Sequence, residues 1–336
     1  MTPTSKENEM KPLHRSPVHK HSSAKQFRTN VGRTQMANIV NAPMRGGIRF
    51  QGTVCTSLWS HPTHGSLKCG QCIECRLAYS REWAIRITHE QMMHEKSCML
   101  NLTYDDDHLP KHGQLVKADL QKFFKRLRKG GYKFRYVASG EYGEQTRRPH
   151  FHIALFGVDF DIDRVLFGRA TGGDRTYTSK SVARYWHQGN HLIGTLNFES
   201  AAYIARYILK KIKASEKVSP LPLHVNKEDG EITFPNPEFL IMSKGISKGW
   251  FNDYFMSDVF PTGSVITAQG SRAPVPRYYK TLLKELGHDL SLDMQFRSSA
   301  RADLEVEQKR YENLPVRKIA RQHVSESRVN LSKRTI

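Results

Sequence analysis

The apolar positions of this chain change period along its length, and the changes mark alternating strands and helices. From Cys98 to Tyr104, Leu100 and Leu102 alternate with Asn101 and Thr103, as a half-buried strand requires. Asp119 opens a segment in which Leu120, Phe123, Phe124 and Leu127 fall at i, i+3, i+4 and i+7, a helix with one apolar stripe, and Gly130 closes it. Tyr132 to Gly140 returns to a strand pattern, Gly143 to Pro149 is a polar turn, and His150 to Val158 is a third strand whose first edge tolerates Pro149. A helix near Lys180 to Trp186, a strand near His191 to Phe198 and a helix from about Glu199 to Lys213 follow. Strands joined through short turns, with helices between them, predict an α+β fold in which an antiparallel sheet carries helices on one face.

Outside this middle the pattern weakens. Residues 1–50 hold few aromatics and no apolar period, so a disordered basic arm is expected there. Residues 51–97 form a cysteine-containing segment followed by a helix from about Arg76 to His89 that packs on the core. Residues 98–215 are the core itself. Residues 216–296, with Trp250, Phe251, Tyr254, Phe255, Tyr278 and Tyr279, read as an accessory extension, and 297–336 as a charged helix ending in a tail.

Composition adds a partner to this outline. Against 32 Asp and Glu stand 52 Lys and Arg, a formal net charge of +20, which suits a polyanion held by salt-sensitive contacts. No apolar run reaches the roughly 18 residues of a membrane span, and no secretory apolar segment opens the chain, so a cytoplasmic protein is expected. Of the five cysteines, Cys69, Cys72 and Cys75 stand in a Cys-x-x-Cys-x-x-Cys array. Such spacing suits a structural Zn²⁺ with Cys55 as fourth ligand, His61 or His64 being alternatives. Reduced thiols at the start of a helix are the competing reading, and Cys98 reads as a small core residue.

Two groupings carry chemistry. In the third strand, His150 and His152 project from one face while Phe151, Ile153 and Leu155 point to the other, so two imidazoles a pleat apart can grip one metal ion. Glu141 lies on the same side of the preceding strand as Ser139, Val137 and Arg135, and pairing across the turn would bring it beside the histidines as a third ligand. Glu144 is the second choice. Two imidazoles and a carboxylate leave open positions that suit Mg²⁺ or Mn²⁺. In the helix that follows, Tyr203, Tyr207 and Lys210 fall within about 60° of arc, beside a stripe of Ile204, Ala205, Ile208 and Ile212. Asn101, Thr103, Arg135, Arg206 and Lys211 are candidate nucleic-acid contacts.

Together these groupings resemble the HUH endonucleases, whose signature is a His-hydrophobe-His strand followed by a Tyr-x-x-x-Tyr-x-x-Lys helix. The segments Met99 to Asp106, Ser139-Gly140-Glu141-Tyr142-Gly143 and Cys69-Gly70-Gln71-Cys72-Ile73-Glu74-Cys75-Arg76 are similar to those of replication initiators of gokushovirus-type microviruses, with weaker echoes at Met242 to Ile246 and Pro276 to Tyr279. The resemblance implies an RRM-like core and a two-tyrosine rolling-circle initiator. Such a protein nicks single-stranded or supercoiled origin DNA, forms a 5′-phosphotyrosine link and leaves a 3′-hydroxyl for host helicase and polymerase. It later rejoins the strand. Lys210, or Lys211 in its place, would bind the reacting phosphate. A plasmid initiator or transposase of the same superfamily, or a noncatalytic basic nucleic-acid-binding protein, are the alternatives.

Overall fold

The computed structural model describes Cys55 and residues 58–61, 65–70, 72–143, 146–170, 173–212, 224–225, 232–267, 270–308, 310–311 and 314–333; within 206–212 it describes the backbone alone. The expected basic arm at 1–50, and Glu144, lie outside these residues.

Three strands form the centre of a seven-stranded antiparallel sheet: β3 (Ser97–Tyr104), β4 (Arg135–Tyr142) and β5 (Pro149–Phe156). Strand β5 lies between β4 and β3, and β8 (Gly189–Gly194) pairs with β3 on its other side. The period-2 apolar pattern sets the register. Leu100, Leu102, Phe151, Ile153 and Leu155 point to one face and pack against Leu120, Phe123, Phe124 and Leu127 of α2 (Lys117–Lys129), all essentially without solvent exposure. Each such side chain contributes about 1.5–3 kcal/mol of burial free energy. Gly130 caps α2, as its sequence position predicts. The short helix α3 (Lys180–Tyr185) also forms where expected and adds Val182 to this core.

The α+β class and the antiparallel sheet stand as expected, but helices cover part of the second face as well. Val137, Ala154 and Phe156 continue the histidine side of β4 and β5 toward the far end of the strands. Their apolar surface must be buried, and α1 (Ile73–Gln91) and α4 (Phe198–Ile212) bury it through Ala84, Ile85, Ile87, Ala201 and Ile204. The second face is therefore apolar and helix-covered at one end and polar at the other, where Asn101, Thr103, Ser139, Glu141, His150 and His152 lie.

Residues 216–296 build onto this unit. Two short strands, β9 (His224–Val225) and β10 (Ile232–Thr233), pair with each other. Strand β11 (Phe239–Met242) pairs with β4 and extends the sheet at that edge. Gly140 faces Phe239 there, and a Cβ in its place would stand 2.7 Å from the Phe239 ring, so only glycine fits. Trp250, Phe251 and Phe255 join Tyr279 in the core beneath α1. His89 stacks on Trp250 at 3.6 Å and meets the Tyr279 hydroxyl at 2.8 Å, and burial drives its pKa down to about 3, so this imidazole is neutral. Arg135 lies in the same region. Its guanidinium donates to Glu90 at 2.5 Å and to the carbonyls of Lys244 and Gly245, so it ties β4 to α1 and to the segment after β11.

At the opposite sheet edge the hairpin β6 (Arg164–Arg169) and β7 (Arg175–Ser179) leaves Val165, Leu166 and Phe167 exposed. The C-terminal region holds two helices, His288–Gln308 and Pro315–Lys333, where one charged helix and a tail were expected.

Candidate metal centre and tyrosine helix

The hairpin of β4 and β5 places Glu141 directly opposite His150, and Ser139 opposite His152. Across the other edge of β5, Asn101 stands opposite His152 and Thr103 opposite His150. The strand alternation that buries Phe151 and Ile153 therefore puts both imidazoles and the carboxylate on one face. Side-chain exposure rises from 1% at Glu141 through 8% at His152 to 20% at His150, so the group opens to solvent on the His150 side.

Hydrogen bonds to the far side of each ring fix which nitrogen is available. His150 Nδ1 lies 3.0 Å from the carbonyl oxygen of Arg148, which can only accept, so Nδ1 carries the proton. His152 Nδ1 lies 2.6 Å from Asn101 Oδ1 and donates to it. Both Nε2 atoms then present lone pairs toward Glu141 Oε1, at 2.7 Å from His152 and 3.4 Å from His150. Despite this proximity, Oε1 is buried and no donor hydrogen is aimed at it among the described residues. Two lone pairs and a carboxylate oxygen turned toward one another are stable together only around a proton or a cation, and all three ligand atoms lie within 4.8 Å of one another.

The electrostatics agree. Burial alone would raise the Glu141 pKa, but the charge and hydrogen bonds of the two imidazoles outweigh it and hold the carboxylate below its ordinary range. Burial likewise works against the His150 imidazolium, and Glu141 outweighs it, so the His150 pKa is raised. The donor set fits a divalent ion that accepts nitrogen and oxygen together.

Helix α4 brings Tyr203 to this group. Its hydroxyl lies 3.3 Å from His152 Nε2, and the two rings meet edge to face with centroids 4.8 Å apart. Helix α1 holds α4 in place: Ser80 donates its hydroxyl to the Ala202 carbonyl at 3.2 Å, and Trp83 packs with Ala205. The backbone of α4 continues through Tyr207, Lys210 and Lys211, while the side chains of Arg206, Tyr207, Lys210 and Lys211 lie outside the described residues.

The other candidates fall elsewhere. Asn101, read from sequence as a nucleic-acid contact, turns its oxygen to His152 and acts as the orienting partner of a ligand. Alternation in β3 put it on the right face but could not name its partner. Thr103 lies across from His150 and donates to the Asn190 carbonyl at 3.4 Å. Arg135 stands in the Glu90 knot described above. Arg148 was not singled out in the sequence, yet its carbonyl orients His150 while its guanidinium grips Asp106 at 2.7 Å and the Tyr104 carbonyl at 3.0 Å.

A second cluster forms where β1 (Leu58–His61) and β2 (Gly65–Lys68) meet the start of α1. The sulfurs of Cys55, Cys69, Cys72 and Cys75 all lie within 4.8 Å of one another. The alternative fourth ligands, His61 and His64, have side chains outside the described residues. Cys98 is buried in the sheet away from this cluster, and burial pushes its thiol up.

Fold and site together define a basic α+β protein whose antiparallel sheet carries a His–His–Glu triad under a tyrosine-bearing helix. Residues 97–212, which span these elements, match the family model for the replication-associated protein ORF2. The chain is 34% identical over 227 residues to replication-associated protein VP4 of Bdellovibrio phage phiMH2K, covering 65% of this chain and 67% of that one. It is 34% identical over 231 residues to replication-associated protein ORF2 of Spiroplasma virus 4 (64% and 66%), and 29% over 250 residues to replication-associated protein ORF4 of Chlamydia phage 1 (71% and 59%). The chain belongs to the family of microvirus replication-associated proteins. The matches span about two thirds of the first two relatives, and no solved structure matches the chain. No described helix is long and apolar enough to cross a membrane.

Proposed function

We propose that the protein initiates rolling-circle replication of a bacteriophage genome by nicking one origin strand with a tyrosine. One observation carries the reading: the Tyr203 hydroxyl stands 3.3 Å from His152 Nε2, beside a carboxylate oxygen of Glu141 that has no hydrogen-bond partner among the described residues.

A tyrosine hydroxyl with a pKa near 10 is a weak nucleophile and needs the phosphate made more electrophilic. His150 Nε2, His152 Nε2 and Glu141 Oε1 would hold Mg²⁺ or Mn²⁺, which when bound neutralises charge on the scissile phosphate, and two nitrogen donors favour Mn²⁺. The Arg148 carbonyl and Asn101 keep the two rings turned so that Nε2 faces inward. Tyr203 is held against His152 by α4, which the sheet and α1 fix from below. The tyrosine oxygen attacks phosphorus, the bond from phosphorus to the 3′ oxygen breaks, and that oxygen takes up a proton. A 5′-phosphotyrosine and a free 3′-hydroxyl result, and reversal of the same exchange reseals the strand without ATP.

Tyr207, one helical turn beyond Tyr203, is the second nucleophile in this reading. It would cut the regenerated origin while Tyr203 holds the first end. Lys210, or Lys211 in its place, supplies a point charge for the adjacent phosphate. The net charge of +20 supplies the sequence-independent attraction for single-stranded and supercoiled origin DNA. The 3′-hydroxyl is the primer for host polymerase and helicase in the cytoplasm of a bacterial cell. The test is a labelled single strand carrying the phage origin, incubated with the protein and Mn²⁺. A cleaved 3′ end that a DNA polymerase extends, with loss of cleavage on adding EDTA, is expected. Cleavage that leaves an unextendable 3′ end, or none, overturns the reading.

A further inference from the structure

We propose that Cys55, Cys69, Cys72 and Cys75 bind one Zn²⁺ as four thiolates, and that this ion pins the β1–β2 hairpin to the start of the helix that supports α4. The site is separate from the His–His–Glu group and lies at the other end of the supporting structure.

The sulfur geometry carries the inference. With zinc–sulfur bonds of about 2.3 Å, the edge of a regular tetrahedron of sulfurs is about 3.8 Å. The Cys55 and Cys69 sulfurs are 3.6 Å apart and those of Cys72 and Cys55 are 3.9 Å apart, on either side of that edge. A disulfide needs about 2.05 Å, so the spacing fits four separate ligands around a centre. Backbone amides aim at the sulfurs as they do at thiolates: Cys69 N–H to the Cys55 sulfur and Cys72 N–H to the Cys69 sulfur, each at 3.3 Å, and Cys75 N–H to the Cys72 sulfur at 3.5 Å. Cys72 is the N-cap of α1, so the positive end of the helix adds to the stabilisation of negative sulfur. Cys55 and Cys75 are buried, Cys69 and Cys72 half-buried, which closes the site as structural zinc sites are closed.

The surroundings give the ion a task. The hairpin has two strands of four residues, too small to hold its own shape, and a metal is a common staple for such pieces. Cys55 and Cys69 bracket it, while Cys72 and Cys75 belong to the first turn of α1. Ser80, which bonds to the Ala202 carbonyl, is about 12 Å further along that helix at 1.5 Å per residue. Ala202 precedes Tyr203. Ion occupancy therefore sets the seat of α1, and α1 seats the tyrosine helix.

The test uses the purified full-length protein. One zinc per chain by elemental analysis is expected, released when a mercurial modifies the thiols. Replacing it with Co²⁺ should give the strong thiolate-to-cobalt absorption and the d–d bands of a tetrahedral site. Cys98→Ala and His150→Ala should keep the zinc, and Cys72→Ser should lose it. Wild-type protein that carries no zinc, takes up Co²⁺ without those bands and has all its thiols open to a thiol reagent overturns the proposal, as does bound iron with visible charge-transfer absorption. Since the decisive readings are made on wild type, misfolding of a cysteine variant leaves them intact. Mn²⁺ binding at the sheet is a separate measurement, so failure of one site is distinguishable from failure of the other.

Discussion

Asn101→Ala removes the group that sets the tautomer of His152 while leaving all three ligand atoms in place. Its Oδ1 accepts from His152 Nδ1 at 2.6 Å, and His152 is only 8% exposed, so water does not readily take its place. A buried donor left without a partner costs about 1–3 kcal/mol, or about 5–150-fold in an equilibrium constant. The ring escapes that cost only by moving its proton to Nε2, which destroys the ligand. Loss of such an orienting partner at metal sites costs about 10–100-fold in affinity, within the same range. The Kd for Mn²⁺, followed by the loss of free-ion EPR signal on titration, should therefore rise about 10–100-fold. At saturating metal, the stabilisation by Mn²⁺ should fall by about 1.4–2.7 kcal/mol. Asn101→Asp restores an acceptor and should recover wild-type affinity or exceed it. A Kd for Asn101→Ala within twofold of wild type would refute the assignment of Nε2 as the inward-facing atom.

Three further outcomes follow from the same geometry. Glu141→Gln keeps the shape of a buried ligand but removes its charge, so Mn²⁺ affinity measured by calorimetry should fall by more than the about 10–100-fold of an outer partner; retained affinity would exclude Glu141 as a ligand. His150 has a raised pKa and Glu141 a lowered one, so their ion pair stabilises the metal-free protein in the window between them. That contribution is full below the ordinary histidine value near 6.5 and is lost as pH rises through the raised one, and it is lost at the acid end as pH falls through the lowered Glu141 value. Melting temperatures of the metal-free protein should thus drop on passing upward through neutrality. Mn²⁺ affinity should drop on passing downward, because the ion must displace the His150 proton. Arg135→Ala leaves the buried Glu90 carboxylate with fewer donors and should cost about 1–3 kcal/mol in denaturant unfolding. The salt dependence of DNA binding should not change, and a shallower salt slope would return Arg135 to the phosphate-contacting residues.

Much of this arrangement was legible in the sequence, for a definite reason. The core strands bury one face, so the period of their apolar residues specifies which side chains share a side, and that alone put Glu141 with His150 and His152. Helix α2 was equally plain, because Leu120, Phe123, Phe124 and Leu127 form a single stripe over a sheet. The choice of Cys55 as fourth partner of the cysteine array also matches the cluster the fold assembles. The hairpin β6–β7 was missed because five of the six residues of β6 are exposed and neither face is buried, which leaves no period to read. Strand β11 was hidden because its partner β4 lies about a hundred residues away, and only the fit of Phe239 over Gly140 explains the pairing. The covering of the second face was missed for a related reason. Val137, Ala154 and Phe156 share a side with the catalytic candidates, and nothing local tells a polar end of that side from an apolar one. Asn101 and Arg135 show the limit most clearly: alternation placed both, but their partners, His152 and Glu90, come from distant segments.

The most direct measurement is peptide mapping by mass spectrometry of the covalent complex formed between the wild-type protein and an origin single strand in Mn²⁺. The account predicts a nucleotide joined through phosphate to the α4 peptide at Tyr203 or Tyr207, absent without metal and absent from the Tyr203→Phe, Tyr207→Phe double variant. A nucleotide attached to any other residue, or full adduct formation by the double variant, would contradict it.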